Sequence, residues 1–321
     1  MTRILFVTSN RIGDAVLSTG LLDHLLAAHP GARVTVACGP LPAPLFAAAP
    51  GVERVLTMTK APRGGHWLKL WRQTVTTPWS LVVDLRASAL AWLLPAWRRL
   101  VYRPSHTALH RVRQLGALVG RTDDPPAPRL WASAEDAARA AALVPAGRPV
   151  LAVGPTANWG GKQWPADRFV DVVARLTAPD GILPGAMVAV VAAPNERAAA
   201  EPVLAAIPAE RRIDLIGAGS LPVIGAALGR CAFYLGNDSG LMHMAAAAGT
   251  PTLGLFGPSR EDHYAPWGPR AAWVRTPQSF HDIITAPGYD HRRGDTLMGG
   301  LEVPTVTAAA EALWRRVGQA C

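Results

Sequence analysis

The chain has 321 residues, of which 50% are hydrophobic and 17% charged, which excludes a disordered protein and suits two cored domains. Its net charge of +9 favours anionic partners such as phosphates, nucleic acid or a membrane surface, with unselective solubilising charge as the alternative. The three cysteines, Cys38, Cys231 and Cys321, have no CxxC spacing, which argues against a disulfide framework or zinc site and fits a reducing compartment.

The first half alternates short apolar strands with helices. Its first strand, at residues 4–8, is too short an apolar run for a signal peptide and leads through a polar turn into a helix at residues 15–29. Further strands are predicted at residues 33–37, 52–58, 81–85 and 100–102, and helices at residues 45–49, 66–76, 88–97 and 106–119. A proline-rich segment at residues 123–128 and an alanine-rich helix at 133–143 then connect the two halves.

The second half repeats this alternation. Strands are predicted at residues 150–153, 187–192, 213–216, 231–235, 251–256 and 272–276, and helices at 167–176, 195–207, 221–228 and 241–248. A long irregular loop at 278–300 precedes a terminal helix at 304–317. The pattern predicts two doubly wound α/β domains, at residues 1–145 and 146–303, with ligands beyond the carboxyl ends of the strands in a cleft between them. No apolar run reaches the roughly 20 residues that span a bilayer, so any membrane contact should be peripheral.

The most informative stretch runs from residue 231 to residue 258 as strand, turn, helix and strand. The backbone N–H groups of Ser239, Gly240 and Leu241 open the helix, where they lack intrahelical partners and where the helix dipole favours an anion. Gly240 has no Cβ, so an anion can approach closely, and the turn is a candidate phosphate site. Simple capping of the helix by Asp238 or Ser239 is an equal alternative, and both can hold together.

Four further side chains are chemical candidates. Asp14 follows the first strand and either caps the helix or takes a proton from an incoming hydroxyl. Lys162 lies in the loop after a strand and suits a diphosphate, with an ordinary surface lysine as the alternative. Glu196 either accepts bonds from ribose hydroxyls or complements a helix dipole. His243 lies on the small-residue helix, and its position favours a histidine of the core. It is also a candidate ligand-binding residue.

Cations are concentrated in the first half around the tryptophan-rich residues 92–103. They either snorkel over apolar surface or form an acceptor site for an anionic glycolipid at a membrane. The candidate acceptor-binding residues are Arg11, Arg63, Arg86, His110 and Arg111. The chain has no GxGxxG, P-loop, GxSxG or HExxH motif, and its histidines are dispersed, so a metal site is not expected. It also lacks a nucleic-acid-binding motif.

In their order along the chain, these motifs resemble the lipopolysaccharide heptosyltransferase family, glycosyltransferase family 9. The resemblance covers nearly the whole chain and rests on residues 11–14 (RIGD), 159–165 (WGGKQWP), 236–243 (GNDSGLMH), 257–258 (GP) and 297–303 (LMGGLEV). It implies a GT-B fold, in which two Rossmann-like domains face each other across a cleft and the helix within residues 304–321 packs back toward the first domain. It further implies a cytoplasmic enzyme, peripheral on the inner face of the inner membrane.

The resemblance also implies a reaction. A sugar, typically heptose from ADP-heptose, would move with inversion and without metal or other cofactor onto a lipopolysaccharide core acceptor such as lipid A–Kdo. Asp14 would be the general base, Lys162 and Thr156 would bind donor phosphate, Asp238 would lie near the donor sugar and Glu196 near the nucleotide. The backbone amides of residues 239–241 would lie near the diphosphate. Two alternatives stay open, a nucleotide-sugar epimerase or hydrolase of the same architecture and a non-catalytic nucleotide-sugar-binding protein.

Overall fold

The computed structural model describes residues 1–104, 108–292 and 294–318. Its internal contacts divide the chain into two units, Met1–Ser133 and Ala134–Cys321. The first residues of the helix predicted at 106–119, including His106, and the third cysteine, Cys321, lie outside the described residues. Cys38 and Cys231 are buried free thiols, and burial raises the pKa of each to about 12.

The first unit is built on a five-stranded parallel sheet in the order β3-β2-β1-β4-β5. Its strands are β1 (Arg3–Val7), β2 (Arg33–Cys38), β3 (Val52–Thr57), β4 (Trp79–Asp84) and β5 (Ala96–Val101). Its helices are α1 (Ile12–Ala28), α2 (Gly65–Thr74) and α3 (Arg111–Gly116). The central strand β1 is buried at every residue after Arg3, because helices cover both faces of a parallel sheet and its strands are continuously apolar.

The second unit is built on a six-stranded parallel sheet in the order β11-β10-β9-β6-β7-β8. Its strands are β6 (Val150–Gly154), β7 (Met187–Val190), β8 (Arg212–Asp214), β9 (Phe233–Asn237), β10 (Thr252–Phe256) and β11 (Ala271–Arg275). Its helices are α4 (Ala134–Leu143), α5 (Ala166–Leu176), α6 (Arg197–Ala206), α7 (Leu221–Leu228), α8 (Gly240–Ala247), α9 (Glu261–Tyr264), α10 (Phe280–Ile284) and α11 (Val303–Gly318).

Both sheets have the strand order of doubly wound nucleotide-binding folds. In each sheet the chain reverses its direction of winding between two central strands, β1 and β4 in the first unit and β6 and β9 in the second. Because all strands in a sheet are parallel, the loops that follow them lie at one edge, and ligands of such folds bind where the winding reverses. The predicted fold class, two Rossmann-like parallel α/β domains, is confirmed.

Several predicted elements differ from the structure, and in place of the helix predicted at residues 45–49 there is a short 3-10 helix at Ala43–Phe46. Residues 89–92 form one turn of 3-10 helix, and the predicted helix stops there because Pro95 has no N–H to continue it. The chain then enters β5, which pairs with β4. The helix predicted at 106–119 is shorter, since α3 begins at Arg111. The predicted loop 278–300 contains the short helix α10, whose first turn is capped by the Ser279 side chain.

The division of the chain falls after Ser133, before α4, and not after residue 145 as predicted. The reason is that α4 packs against α7 of the second unit. The terminal helix α11 packs against α5, β10 and β11, and its buried residues belong to the core of the second unit. The predicted packing of this helix toward the first domain stays a prediction. Over the described residues, none of the helices combines the length and apolar character needed to cross a bilayer.

We expect Leu313→Ala to destabilise the second unit by about 2–5 kcal/mol, because it empties a buried site in the contact between α11 and the sheet. Denaturant unfolding followed by fluorescence would measure the loss. Thr305→Ala, an exposed change on the same helix, is the matched control and should be nearly silent. Equal stability of the two variants would contradict the packing of α11 described here.

Candidate functional site

The predicted ligand-binding residues of the second unit collect at the carboxyl edge of its sheet. The loop after β6 carries Thr156 and Lys162, the loop after β7 carries Glu196, and β9 leads directly into Asp238 and the start of α8. Strands β6 and β9 are hydrogen-bonded neighbours, with Gly154 opposite Gly236 at their ends. These residues therefore lie at the reversal of winding, where a doubly wound sheet binds its ligand.

An ion pair joins two of the predicted residues. Lys162 Nζ lies 2.5 Å from Asp238 Oδ2, and the two side chains are 24% and 8% exposed. His243, 5% exposed, places Nε2 4.0 Å from the other carboxylate oxygen of Asp238, too far for a hydrogen bond. The structure thus brings Lys162, Asp238 and His243 together, and the core position weighed for His243 is also the observed one.

Helix α8 begins at Gly240, two residues after Asp238 of this ion pair. Ser239 is its N-cap residue, with extended backbone, and its side chain makes no capping hydrogen bond. The alternative that Ser239 merely caps the helix is therefore not realised. The first N–H groups of a helix have no intrahelical acceptor and carry partial positive charge, and those of α8 directly follow Asp238, the partner of the Lys162 ammonium.

Thr156 and Glu196 form a second pair at the same edge. Thr156 Oγ1 donates a 2.7 Å hydrogen bond to Glu196 Oε2, and the backbone N–H of Ala193 donates to the same oxygen at 3.2 Å. Thr156 is 1% exposed, so its hydroxyl is committed to this carboxylate. The pair fixes the start of α6 against the loop after β6.

A buried amide that the sequence analysis did not select holds the lysine loop in place. Asn237, fully buried at the end of β9, accepts a hydrogen bond from the backbone N–H of Trp164 at 3.1 Å and donates one to the carbonyl of Pro155 at 2.8 Å. Its two bonds thus reach both ends of the loop that carries Lys162. The sequence did contain a signal for this role, namely a polar residue at the end of an apolar strand, because a buried amide requires hydrogen-bond partners.

Residues 294–301, which overlap the predicted loop 278–300 and the motif at 297–303, pack on the same loop. The backbone N–H of Leu297 donates to the carbonyl of Gly161 at 3.0 Å, and Trp164 Nε1 donates to the carbonyl of Leu301 at 2.8 Å. This part of the predicted loop therefore has a structural role beside Lys162. Within the described ranges, no three His, Cys, Asp or Glu side chains are grouped so as to hold a metal ion.

In the first unit, Asp14 lies in the first turn of α1. The hydroxyl of Ser9 donates to Asp14 Oδ2 at 3.3 Å and accepts from the backbone N–H of Arg11 at 3.1 Å. Arg11 is the N-cap residue, so Asp14 is not the cap that the alternative required. Its carboxylate is half-buried and held at the edge of the sheet.

The other candidates of the first unit also follow strands at this edge. Arg86, after β4, donates from Nη1 to Asn10 Oδ1 at 3.1 Å, which places it beside the turn of Asp14. Arg63 follows β3 and is exposed. His110 caps α3, its Nδ1 accepting from the backbone N–H of Val112 at 3.2 Å. Arg111 stacks over the ring of Tyr102 at 3.9 Å.

Comparison with known proteins gives consistent matches. The family model described as glycosyltransferase family 9 (heptosyltransferase) matches residues 77–282. The chain is 24% identical to lipopolysaccharide heptosyltransferase 2 of Salmonella typhimurium, over 92% of each chain.

Two solved structures share the fold over almost their whole length. One is a glycosyl transferase family 9 protein from Veillonella parvula, with a TM-score of 0.79 and 20% identity over 98% of this chain and 97% of that one. The other is ADP-heptose lps heptosyltransferase II of E. coli, with a TM-score of 0.76 and 20% identity over 99% and 100%. Since the family model spans well over half of the sequence, the chain belongs to glycosyltransferase family 9 and is a glycosyltransferase.

Proposed function

We propose that this enzyme transfers heptose from ADP-heptose onto an acceptor in the lipopolysaccharide core, with inversion at the anomeric carbon. Membership of the family supports this reaction, as do the printed names of the Salmonella relative and the E. coli structure. The observation that carries the proposal is the Lys162–Asp238 ion pair beside the N-terminus of α8, at the reversal of winding in the second sheet.

The donor diphosphate binds, in this proposal, between Lys162 and the backbone amides of residues 239–241. The leaving diphosphate gains negative charge as the sugar departs, and a fixed ammonium with helix N–H dipoles stabilises that charge without a divalent metal. Asp238 lies next to Lys162 and contacts the donor sugar. Glu196 receives the ribose hydroxyls, and Thr156 holds that carboxylate in position.

Asp14 acts as the general base. It takes the proton of the acceptor hydroxyl as that oxygen attacks the anomeric carbon from the face opposite the diphosphate, through an oxocarbenium-like transition state. Its half-buried position in the first turn of α1, steadied by Ser9, provides a carboxylate in fixed orientation. Arg11 and Arg86 lie close to this turn and attract an anionic acceptor, with Arg63, His110 and Arg111 along the same edge.

We further propose that a tryptophan patch, formed by Trp92, Leu93 and Trp97, rests on an anionic membrane. Their exposed fractions are 62%, 63% and 94%, which is unusual for such large apolar side chains. The patch adjoins α2, because Trp71 Nε1 donates to the carbonyl of Leu93 at 3.2 Å, and α2 exposes Lys69 and Arg72. Interfacial tryptophans with nearby cations match the polar boundary of an anionic bilayer, where the acceptor glycolipid resides.

Asp14→Asn should reduce acceptor-dependent transfer by about 10²–10⁴-fold, because the amide cannot accept the hydroxyl proton, while ADP binding is retained. Steady-state turnover and calorimetric titration with ADP would measure the two effects. Asp23→Asn, on the same helix, is the matched control and should keep normal turnover. Normal turnover by Asp14→Asn would refute the base assignment, and release of free or epimerised sugar without acceptor would favour the epimerase or hydrolase alternative.

Lys162→Met should lower kcat/KM for the donor by about 10²–10³-fold, because the leaving diphosphate loses its fixed cation. Transfer by the unaltered enzyme should persist in EDTA. Arg175→Met, which removes an exposed cation from α5 in the same unit, is the control for net charge. Near-normal donor kinetics in Lys162→Met, or loss of activity in EDTA, would exclude this electrostatic account.

Replacing all three residues of the tryptophan patch by serine should weaken binding to anionic phospholipid vesicles by at least about tenfold, since apolar burial at the interface is lost. Vesicle cosedimentation would measure it. Trp273→Ser, at a tryptophan 47% exposed in the second unit, is the matched control. Equal cosedimentation of the triple variant and this control would remove the patch from the membrane proposal.

A further inference from the structure

Tyr234 occupies a channel made by two glycines. It lies in β9, in register with Ala152 of β6, and its ring runs along the sheet toward the carboxyl edge. A Cβ atom at Gly154 would lie 2.1 Å from the phenol oxygen, and one at Gly236 would lie 2.5 Å from it. These two glycines face each other at the ends of β6 and β9, so any larger residue at either position would collide with the phenol.

The phenol hydroxyl ends beside the proposed phosphate site. Tyr234 is fully buried, and among the described residues its hydroxyl has no hydrogen-bond partner. The buried hydroxyl of Ser239, the N-cap residue of α8, likewise has none within that part of the chain. The two groups are close enough to interact, since the Ser239 hydroxyl lowers the pKa of Tyr234, although their geometry falls short of a hydrogen bond.

The phenol keeps its proton at neutral pH and is therefore a hydrogen-bond donor. Burial is the largest influence and raises the pKa of Tyr234, and the nearby carboxylate of Glu196 raises it further. An unpaired buried hydroxyl is unfavourable, and phenylalanine would fill the same channel without that penalty. The hydroxyl is therefore favourable only when a ligand at the carboxyl edge of the sheet completes its hydrogen bonding.

We propose that Tyr234 is a positioning residue for the donor diphosphate. With a phosphate at the N-terminus of α8, the phenol donates a hydrogen bond to Ser239 Oγ, and the Ser239 hydroxyl donates a hydrogen bond to a phosphate oxygen. This chain of two bonds gives both hydroxyls partners and orients the serine toward the ligand. The inference rests on the proposed function, because that function supplies the phosphate.

The test is a double-mutant cycle in the full-length enzyme, with ADP as the probe. Calorimetric titration would compare the unaltered protein, Tyr234→Phe, Ser239→Ala and the double variant. We expect Tyr234→Phe to weaken ADP binding by about tenfold, and the double variant to bind no more weakly than the weaker single variant, because the bonds form one chain. Thr177→Val, which removes a buried hydroxyl at the far end of α5, is the matched control.

A structural role for the phenol predicts a different result. If Tyr234 only supported the fold, Tyr234→Phe would lower the melting temperature of the free protein, whereas the proposal expects it to be unchanged or raised and the shift produced by ADP to shrink. ADP binding by Tyr234→Phe equal to that of the unaltered protein, or additive effects in the cycle, would overturn this inference alone. Absence of ADP binding by the unaltered protein would overturn the proposed function, and this inference with it.

Discussion

One buried amide fixes the geometry on which the candidate donor site depends. Asn237 bonds through its oxygen to the backbone after Lys162 and through its nitrogen to the backbone at the end of β6. The lysine loop therefore cannot shift without breaking bonds to a side chain that is fully buried, where an unpaired amide is costly. Because Asn237 immediately precedes Asp238, the same residue sets the distance between the two charges of the ion pair.

The ion pair orders two of the side chains at the candidate site. A lysine and an aspartate removed from water lose hydration free energy, which their attraction regains only in good geometry. The 2.5 Å contact between Lys162 Nζ and Asp238 Oδ2 provides that geometry. In the proposed reaction, a diphosphate would meet an ammonium that is already oriented, so little reorganisation would accompany binding, which is the condition under which electrostatic catalysis is effective.

The fold class could be predicted from the sequence because hydrophobic periodicity and glycine-bounded turns are local features. The same pattern also predicted that Thr156, Lys162, Glu196 and Asp238 lie at one edge of a sheet. It was insufficient where partners are distant in the chain. Strand β5 begins at Ala96, inside the helix predicted at 88–97 and before the strand predicted at 100–102, because β4 provides hydrogen-bond partners that the local pattern does not reveal. Residues 297–303 were recognised as a motif, but their contact with the lysine loop was not predicted, since a contact between segments more than a hundred residues apart leaves no local pattern.

The channel around Tyr234 has an evolutionary consequence. The side chain at 234 and the empty spaces at 154 and 236 fit only as a set, because an added methyl group at either glycine meets the phenol oxygen. A lineage can therefore enlarge residue 154 only after the tyrosine has been replaced by something shorter. Residue 236 stays glycine even then, because an added Cβ would also lie 2.7 Å from the backbone carbonyl oxygen of Gly154. Substitutions at 234 and 154 should therefore appear in a fixed order among descendants of this sequence, with the tyrosine lost first.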